Sequence, residues 1–252
     1  MFNYNLFISR LSNTKQHLTS FIKNEVAQRL LKRLEFINLK PKSIYIDGYT
    51  DDAYIKALTL RFPDSEISTD ANQTHDLIIS NTTIHLTENI ADRLDQCFEM
   101  LNQDGVLLFS TFGNKSFSSL NNAFLAIDNL PHTNAMIDAK TWGGLLQSSP
   151  YKAPAIESDL ITFTYENITT FFEDIRHLNE PLADTKMSQH FTGKTKWQKA
   201  LNELEKNFQL EIEALYGYAV RKDKLEEIQP KANPNRMSLE DLKKQIADFK
   251  KS

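Results

Sequence analysis

Two short runs in the first half of the chain, at positions 77–79 and 106–109, are continuously apolar. A strand that is apolar on both faces is typical of the interior of a parallel sheet, which helices cover on both sides. Between the runs, Ile90, Leu94 and Phe98 recur at the spacing expected for the buried stripe of a helix. A third strand-like run at 43–47 is followed by a helix-like stretch from 51 to 61. This alternation predicts a doubly wound α/β sheet with a ligand site at the carboxyl ends of its strands.

The second half of the chain has a different pattern. Alternating side chains at 160–165 and 212–220 predict two strands that form an antiparallel pair at one end of the sheet. Helices are predicted from 167 to 178 and around Trp197, Leu201 and Leu204, with a loop or lid at 179–194 between them. We predict one domain over residues 1–229, followed within 230–252 by a polar linker and a short helix.

Charge and composition narrow the range of functions. Lys and Arg number 29 against 33 Asp and Glu, a net charge of −4, so the chain lacks the basic field that would hold nucleic acid. Cys97 is the single cysteine and the histidines show no helical pair with metal-ligand spacing, so we predict neither a disulfide nor a metal site. No apolar run approaches the roughly 18 residues that span a membrane, and positions 1–15 lack a signal-peptide core. We therefore expect a cytoplasmic protein that binds neither nucleic acid nor membrane.

Four motifs of the chain carry a family resemblance. They are HDLIISN at 75–81, LNQDGVLLFST at 101–111, PHTN at 131–134 and TGK at 192–194. In this order they resemble the class I S-adenosylmethionine-dependent methyltransferases, and more narrowly the malonyl-acyl-carrier-protein O-methyltransferases of biotin synthesis. The resemblance covers most of residues 7–222. It implies a Rossmann-like sheet with a helical lid, S-adenosylmethionine as cofactor and an acyl-carrier protein as partner.

The resemblance also implies four cofactor-binding residues. Asp47 and Gly48 form the turn after the first strand, Asp70 stands where the family holds the cofactor ribose, and Asn81 ends the first motif. For Asp47 and Gly48, an ordinary strand-to-helix turn is the alternative interpretation. For Asp70, the alternative is a solvated loop carboxylate.

Four residues are predicted on the substrate side. His132 and Asn134 can donate hydrogen bonds to a carboxylate or ester oxygen, or can instead cap a loop. Arg176 and Lys194 can pair with the free carboxylate of a malonyl group, or can lie solvated at the surface. The catalytic residues stay unassigned, because a malonyl carboxylate is already ionised near neutral pH and needs no general base.

The chain departs from the family in the cofactor loop. The three glycines of the family's Asp-x-Gly-x-Gly-x-Gly are replaced here by Tyr49, Asp51 and Ala53. Each substitution adds a β-carbon where the cofactor approaches the backbone. The carboxylates at 51 and 52 would repel the cofactor's own carboxylate, although they favour the N-terminus of the following helix. We therefore predict a degenerate cofactor site.

A second departure concerns the edge of the sheet. Only residues 71–75 separate Asp70 from the strand at 76–81, whereas a crossover between parallel strands takes roughly a dozen residues or more. The segment 66–70 is therefore predicted either not to be a parallel strand or to pair irregularly. The sheet is predicted to be shortened at its second- and third-strand edge. Beyond the 76–81 strand, His85-Leu86 replaces the family's Gln-Trp.

Two functions fit these observations. The chain is either a methyltransferase of malonyl-carrier carboxylates with a rebuilt cofactor site, or a pseudoenzyme of the same fold. The pseudoenzyme would bind an acyl-carrier protein or a partner methyltransferase as a scaffold or regulator. We expect an open cavity beside Asp47 if the chain is an enzyme. If it is a scaffold, we expect Tyr49 or the Asp51 helix turn to fill that space.

Overall fold

A six-stranded mixed sheet forms the centre of the fold in this computed structural model, which describes residues 2–13, 19–125, 127–188, 192–205 and 208–222. The strands are β1 Ser43–Gly48, β2 Glu66–Ser68, β3 His75–Asn81, β4 Leu101–Phe112, β5 Lys152–Thr164 and β6 Gln209–Val220. They lie in the order β2-β1-β3-β4-β6-β5. The helices of the described residues are α1 Tyr4–Asn13, α2 Phe21–Arg33, α3 Asp52–Arg61, α4 Ile90–Glu99, α5 Ser118–Leu125, α6 Ala139–Ser148, α7 Ile168–His177 and α8 Lys194–Leu204.

The two continuously apolar runs lie in β3 and β4, in the middle of the sheet. Strand β3 pairs in parallel with β1 on one side and with β4 on the other. Alternate residues of β3 enter two different apolar clusters: Leu77 and Ile79 pack with α2, α3, α5, α7 and α8, whereas Ile78 packs with α4 and α6. Helices therefore cover both faces, and the predicted doubly wound α/β fold is confirmed.

The edge at β2 corrects one sequence prediction. Strand β2 has three residues and pairs in parallel with β1, from Glu66 opposite Ser43 to Ser68 opposite Tyr45. Of the two predicted alternatives, the one in which 66–70 is not a parallel strand is therefore wrong for residues 66–68. Residues 69–74 join β2 to β3, on the far side of β1, without a helix. Six residues are enough for this connection, because β2 has only three residues and the chain has only a short distance to run back to the start of β3. Strand β2 is the edge of the sheet among the described residues, so the predicted shortening is confirmed.

The antiparallel pair at the other edge is confirmed as well. Strand β6 pairs antiparallel with β4 and with β5, and both β5 and β6 are longer than the alternating pattern indicated. The predicted helices within 51–61 and 167–178 correspond to α3 and α7, while α1, α5 and α6 were not predicted. Residues 179–188 contain neither helix nor extended strand, as expected for the predicted lid.

Two further predictions concern other parts of the chain. The linker and helix predicted within 230–252 lie outside the described residues, and so does the boundary proposed after residue 229. In the part of the chain that the structure describes, no helix has the length and apolar character to cross a membrane.

Gly48, at the end of β1, provides a test of this architecture. It has φ of +90°, and a β-carbon there would lie 2.2 Å from the carbonyl oxygen of Asn81. We expect Gly48→Ala to lower the free energy of unfolding by about 1–3 kcal/mol, because it adds both a strained φ and a clash. The matched control is Gly144→Ala in α6, where an added β-carbon meets nothing within 4 Å, and which should raise stability by about 0.5–1 kcal/mol. Urea titrations followed by circular dichroism measure both changes, and a Gly48→Ala variant as stable as the parent protein would contradict the assigned turn.

Candidate functional site

Asn81 fixes the carboxyl edge of the sheet. Its carbonyl oxygen accepts a hydrogen bond from the Tyr49 amide at 3.1 Å. Its side-chain amide donates to the Tyr49 carbonyl at 3.0 Å, and its side-chain oxygen accepts from the Ser110 hydroxyl at 3.2 Å. Asn81 is fully buried, so these bonds join the ends of β1, β3 and β4 inside the protein. The amide predicted to bind a cofactor already has protein partners.

Asp47, the last side chain of β1 before the glycine turn, is neutralised by the protein. Its Oδ2 accepts a hydrogen bond from the Arg93 guanidinium at 2.7 Å. The hydroxyls of Thr83 and Ser80 donate to the same oxygen at 2.8 and 3.2 Å. Arg93 lies on α4, so this ion pair connects the end of β1 to a helix on one face of the sheet.

An open cavity of about 840 Å³ lies beside Asp47, and we name it the Asp47 cavity. Its lining residues are Tyr4, Phe7, Ile8, Asp47, Thr83, Leu86, Thr87, Glu88, Asn89, Asp92, Arg93 and Gln96. Neither Tyr49 nor Asp51 is among them. The volume falls in the range of about 300–1,000 Å³ typical of small-molecule and cofactor sites. Of the two arrangements expected from the sequence, the structure has the open cavity.

The substituted cofactor loop is held by its own side chains. Asp51 caps α3, because its Oδ1 accepts a hydrogen bond from the Tyr54 amide at 2.8 Å. The Tyr49 hydroxyl lies 3.5 Å from the other carboxylate oxygen of Asp51. The helix N-terminus that could receive an anionic ligand is therefore occupied by a side chain of the chain itself.

Asp70 stands apart from both of these features. It is exposed in the connection between β2 and β3, where its Oδ1 accepts hydrogen bonds from the backbone and side-chain nitrogens of Asn72, each at 2.9 Å. These bonds to Asn72 lower the pKa of Asp70. Asp70 does not line the Asp47 cavity, and its hydrogen bonds are to residues 68, 72, 73 and 75, not to Asp47, Gly48 or Asn81.

These contacts test whether the residues suit the cofactor that the resemblance implies. Gly48 keeps a turn that only glycine tolerates, and the cavity has sufficient volume. The polar groups at Asn81 and Asp51 are used within the protein, and Asp70 lies elsewhere. At this edge of the sheet Asn81 and Asp51 are bonded within the protein, while the Asp47 cavity is open to a ligand.

A second cavity, of about 430 Å³, adjoins the first, and we name it the His85 cavity. Its walls include the aromatic side chains Phe2, Phe112 and Trp142 together with Met136 and Leu145. Residues 86–89 line both cavities. Two spaces at the carboxyl edge of the sheet are thus separated by one short segment.

A buried charge cluster forms one wall of the His85 cavity. The Lys23 ammonium lies 3.0 Å from Glu180 Oε1, and the side chains of these two residues are 11% and 4% exposed. His85 Nε2 lies 3.6 Å from Glu180 Oε2, and neither ring nitrogen of His85 has a hydrogen-bond partner. Burial opposes ionisation of Glu180, but the charges of Lys23 and His85 outweigh it and hold the pKa of Glu180 below its ordinary value.

The PHTN motif supplied two of the predicted substrate-side residues, His132 and Asn134. Of these, Asn134 lines the His85 cavity. Its amide donates to the Pro181 carbonyl at 3.1 Å and its side-chain oxygen accepts from the Ala183 amide at 2.7 Å. Asn134 thus ties the predicted lid to the cavity wall, which matches the loop-capping alternative.

The other three predicted substrate-side residues do not line either cavity. His132 stacks on Phe124 with ring centroids 4.0 Å apart, and its Nε2 lies 2.9 Å from Asp128 Oδ1. Arg176, on α7, and Lys194, the first residue of α8, are exposed. In this structure they are surface charges.

Sequence reasoning did not identify the cluster or Arg93 as site residues. His85 was visible as a departure from the family's Gln, which is a usable signal. Lys23 and Glu180 gave no such signal, because nothing in the local sequence pattern shows that α2 contacts the segment after α7. Among the described residues, no group of three or more His, Cys, Asp or Glu could hold a metal ion.

The contribution of the Lys23–Glu180 ion pair to stability can be tested by substitution. We expect Lys23→Met to lower the free energy of unfolding by about 3–5 kcal/mol, because it leaves a buried carboxylate without its partner. The double variant Lys23→Met/Glu180→Gln, which removes both charges, should recover most of that loss. Urea titrations at pH 7 measure both, and additive effects of the two substitutions would contradict a coupled pair.

The same pair predicts a pH dependence with a defined sign. Because the folded-state pKa of Glu180 lies below its ordinary value of 4.5, its stabilisation is fully present above that value and is lost as the pH falls through the folded-state pKa. We expect the parent protein to lose stability relative to the double variant as the pH falls below 4.5. A constant difference from pH 7 to pH 2 would contradict this assignment.

The comparisons with known proteins agree with the motif resemblance. No family model matches the chain. A malonyl-[acyl-carrier protein] O-methyltransferase of Nitrosospira multiformis is 27% identical over 148 residues, covering 57% of this chain and 48% of that protein. A malonyl-[acyl-carrier protein] O-methyltransferase 1 of Coxiella burnetii is 25% identical, covering 77% of this chain and 79% of that protein. The corresponding enzyme of Gallionella capsiferriformans is 22% identical and covers 80% and 84%.

Two solved structures are similar to this chain over most of its length. The YcgJ protein of Bacillus subtilis has a TM-score of 0.46 at 8% identity, covering 79% of this chain and 99% of that chain. The plantazolicin methyltransferase BpumL in complex with SAH has a TM-score of 0.40 at 12% identity, covering 86% and 89%. The chain has an α/β fold by its own strand order and is similar in sequence to the malonyl-[acyl-carrier protein] O-methyltransferases, as its motifs predicted.

Proposed function

We propose that the chain is an S-adenosylmethionine-dependent methyltransferase that methylates the free carboxylate of a malonyl group presented by an acyl-carrier protein. The observation that carries this proposal is the pair of adjoining cavities, which share residues 86–89 at the carboxyl edge of the sheet. The sequence similarity to enzymes of that name supports the choice of reaction.

Two adjoining cavities suit a transfer between two ligands. A group transfer is accelerated chiefly when the reacting atoms are held close together in a fixed orientation. The His85 cavity is walled largely by apolar side chains, which keep water away from an acceptor group. No residue has to remove a proton, because the acceptor is a carboxylate.

The cofactor side must differ from that of the relatives. We assign the cofactor to the Asp47 cavity, where the exposed side chains of Asn89 and Gln96 are polar lining groups and α1 supplies an apolar cover. This arrangement replaces the glycine loop, whose positions carry Tyr49 and Asp51 here.

A second candidate function is a non-catalytic scaffold that binds an acyl-carrier protein or a partner methyltransferase. One observation favours it: the side chain of Asn81, which the resemblance assigns to cofactor binding, is bonded within the protein, and Asp51 occupies the N-terminus of α3. Such a protein would keep the fold and the surface that binds its protein partner, but it would not transfer a methyl group.

Calorimetry and a transfer assay decide between the two functions. We expect saturable binding of S-adenosylmethionine and S-adenosylhomocysteine at micromolar concentration. We also expect transfer of labelled methyl groups to malonyl-loaded, but not acetyl-loaded, acyl-carrier protein. No binding up to millimolar ligand would overturn the enzyme proposal, and the scaffold would then be tested by titrating the carrier protein alone.

A paired substitution on α4 tests the assigned cavity. Gln96 lines the Asp47 cavity and is exposed, whereas its neighbour Asp95 is exposed but does not line it. We expect Gln96→Trp to weaken cofactor binding at least about tenfold by filling the space, and Asp95→Trp to leave it unchanged. Equal binding by both variants would show that the cofactor lies elsewhere.

A further inference from the structure

The first half of α8 carries positive charge at the end of the helix where it is least favourable. Lys194, Lys196 and Lys199 are exposed, the first turn contains no acidic residue, and Gly193 provides no side-chain cap. Cations near the N-terminus of a helix oppose its dipole, so this arrangement costs stability. A surface that breaks a local rule of stability is a candidate for a functional role.

An aromatic side chain stands among these lysines. Trp197 is 37% exposed, and its ring packs against those of Phe124 and Phe172 at centroid distances of 5.8 and 5.3 Å. At 3.6 residues per turn, Lys194 and Lys196 lie on opposite sides of Trp197 around the helix. We name Lys194, Lys196, Trp197 and Lys199 the α8 surface. It combines an accessible aromatic ring with three positive charges.

Acidic residues near the α8 surface offset its charge only in part. The carboxylate of Asp128 lies 2.9 Å from His132 Nε2, and this contact, with a smaller effect of Lys196, lowers the pKa of Asp128. Glu203 lies in the second half of α8, one turn beyond Lys199. Positive charge therefore remains around Trp197, on a chain whose net charge is −4.

A series of contacts connects the α8 surface to the His85 cavity. Trp197 packs on Phe124, and Phe124 stacks on His132 with ring centroids 4.0 Å apart. Two residues further on, Asn134 lines the His85 cavity. A protein bound at the α8 surface would therefore lie beside the cavity to which the acceptor group is assigned.

We propose that the α8 surface is the docking site of the acyl-carrier protein, which binds through an acidic face with an apolar side chain seated on Trp197. The inference rests on the proposed function, since that function makes the carrier the source of the acceptor. An acidic carrier is repelled by the net negative charge of the chain and attracted by this surface, so the charges orient the encounter. Anionic membranes are typically bound by clusters of about 4–8 Lys and Arg, and the α8 surface has three lysines.

The test uses acyl-carrier protein without its prosthetic arm, so that neither cavity contributes to binding. Calorimetry compares the full chain with the triple variant Lys194→Glu/Lys196→Glu/Lys199→Glu. We expect the variant to bind the carrier at least about tenfold more weakly, because three attractive charges become repulsive. The variant should fold, since glutamates favour the N-terminus of a helix.

The matched control is the triple variant Lys32→Glu/Lys40→Glu/Lys56→Glu, which makes the same change in net charge at three other exposed lysines. We expect it to weaken binding by less than about threefold, because distant surface charges are screened. Near-ultraviolet circular dichroism checks the fold of both variants.

Tryptophan fluorescence gives a second readout. Trp142 is fully buried, so quenching by acrylamide reports chiefly on Trp197. We expect a carrier protein without tryptophan to protect this fluorescence from quenching in the parent protein and in the control variant.

The outcomes separate this inference from the proposed function. Carrier binding that is lost in the α8 variant and kept in the control supports the inference even if no methyl group is transferred, in which case only the proposed function fails. The inference is overturned, even where methyl transfer occurs, if the parent protein does not bind the carrier or if both triple variants bind it equally. Protection of Trp197 by vesicles of phosphatidylcholine and phosphatidylglycerol, but not by the carrier, would also overturn it.

Discussion

The hydrogen bonds of Asn81 are the constraint on which the rest of the site depends. One buried residue joins the end of β3 to the turn after β1 and to Ser110 on β4. A buried amide that lost these partners would cost about 1–3 kcal/mol for each unsatisfied group, so the three strand ends are held in one relative position. The next residue, Thr82, has φ of +56°, and from there the chain turns away from the sheet toward the segment 86–89. The position of the wall between the two cavities therefore follows from the bonds of Asn81.

Two other contacts, made by Asp51 and Asp47, explain why the charges at the Asp47 cavity differ from the sequence expectation. The carboxylate of Asp51 was expected to repel a ligand's carboxylate, but it is directed to the Tyr54 amide and does not line the Asp47 cavity. Asp47 does line the cavity, and Arg93 neutralises it at 2.7 Å. The expected repulsion between Asp51 and a ligand's carboxylate therefore does not arise in the Asp47 cavity, because Asp51 does not line it. Beside the loop that carries Tyr49 and Asp51 in place of glycines, the Asp47 cavity is open.

Much of the fold could be predicted from periodicity, because burial on one or two faces leaves a direct pattern in the sequence. The strands β3 and β4 and the helices α3 and α7 are examples. The parallel pairing of β2 could not be predicted, since a minimum crossover length holds for strands of ordinary length and not for one of three residues. On the site, the motif residues Asp47, Gly48 and Asn81 do lie together. His132, Arg176 and Lys194 do not line either cavity, because residue type alone does not say which way a helix or loop turns its side chains.

The lid shows why the remaining site residues depend on contacts between distant parts of the chain. Three parts of the chain make four contacts with residues 180–183. Lys23 of α2 pairs with Glu180, Asn134 bonds the Pro181 carbonyl, and the N-terminal segment bonds the next two carbonyls, with Arg10 donating to Leu182 at 2.6 Å and the Asn3 amide donating to Ala183 at 2.8 Å. The N-terminal segment that makes the last two contacts also lines both cavities, through Phe2 on one side and Tyr4 and Phe7 on the other. The two cavities therefore share the N-terminal segment as well as residues 86–89. Because that segment also bonds residues 182 and 183, the walls of both cavities depend on one set of long-range contacts.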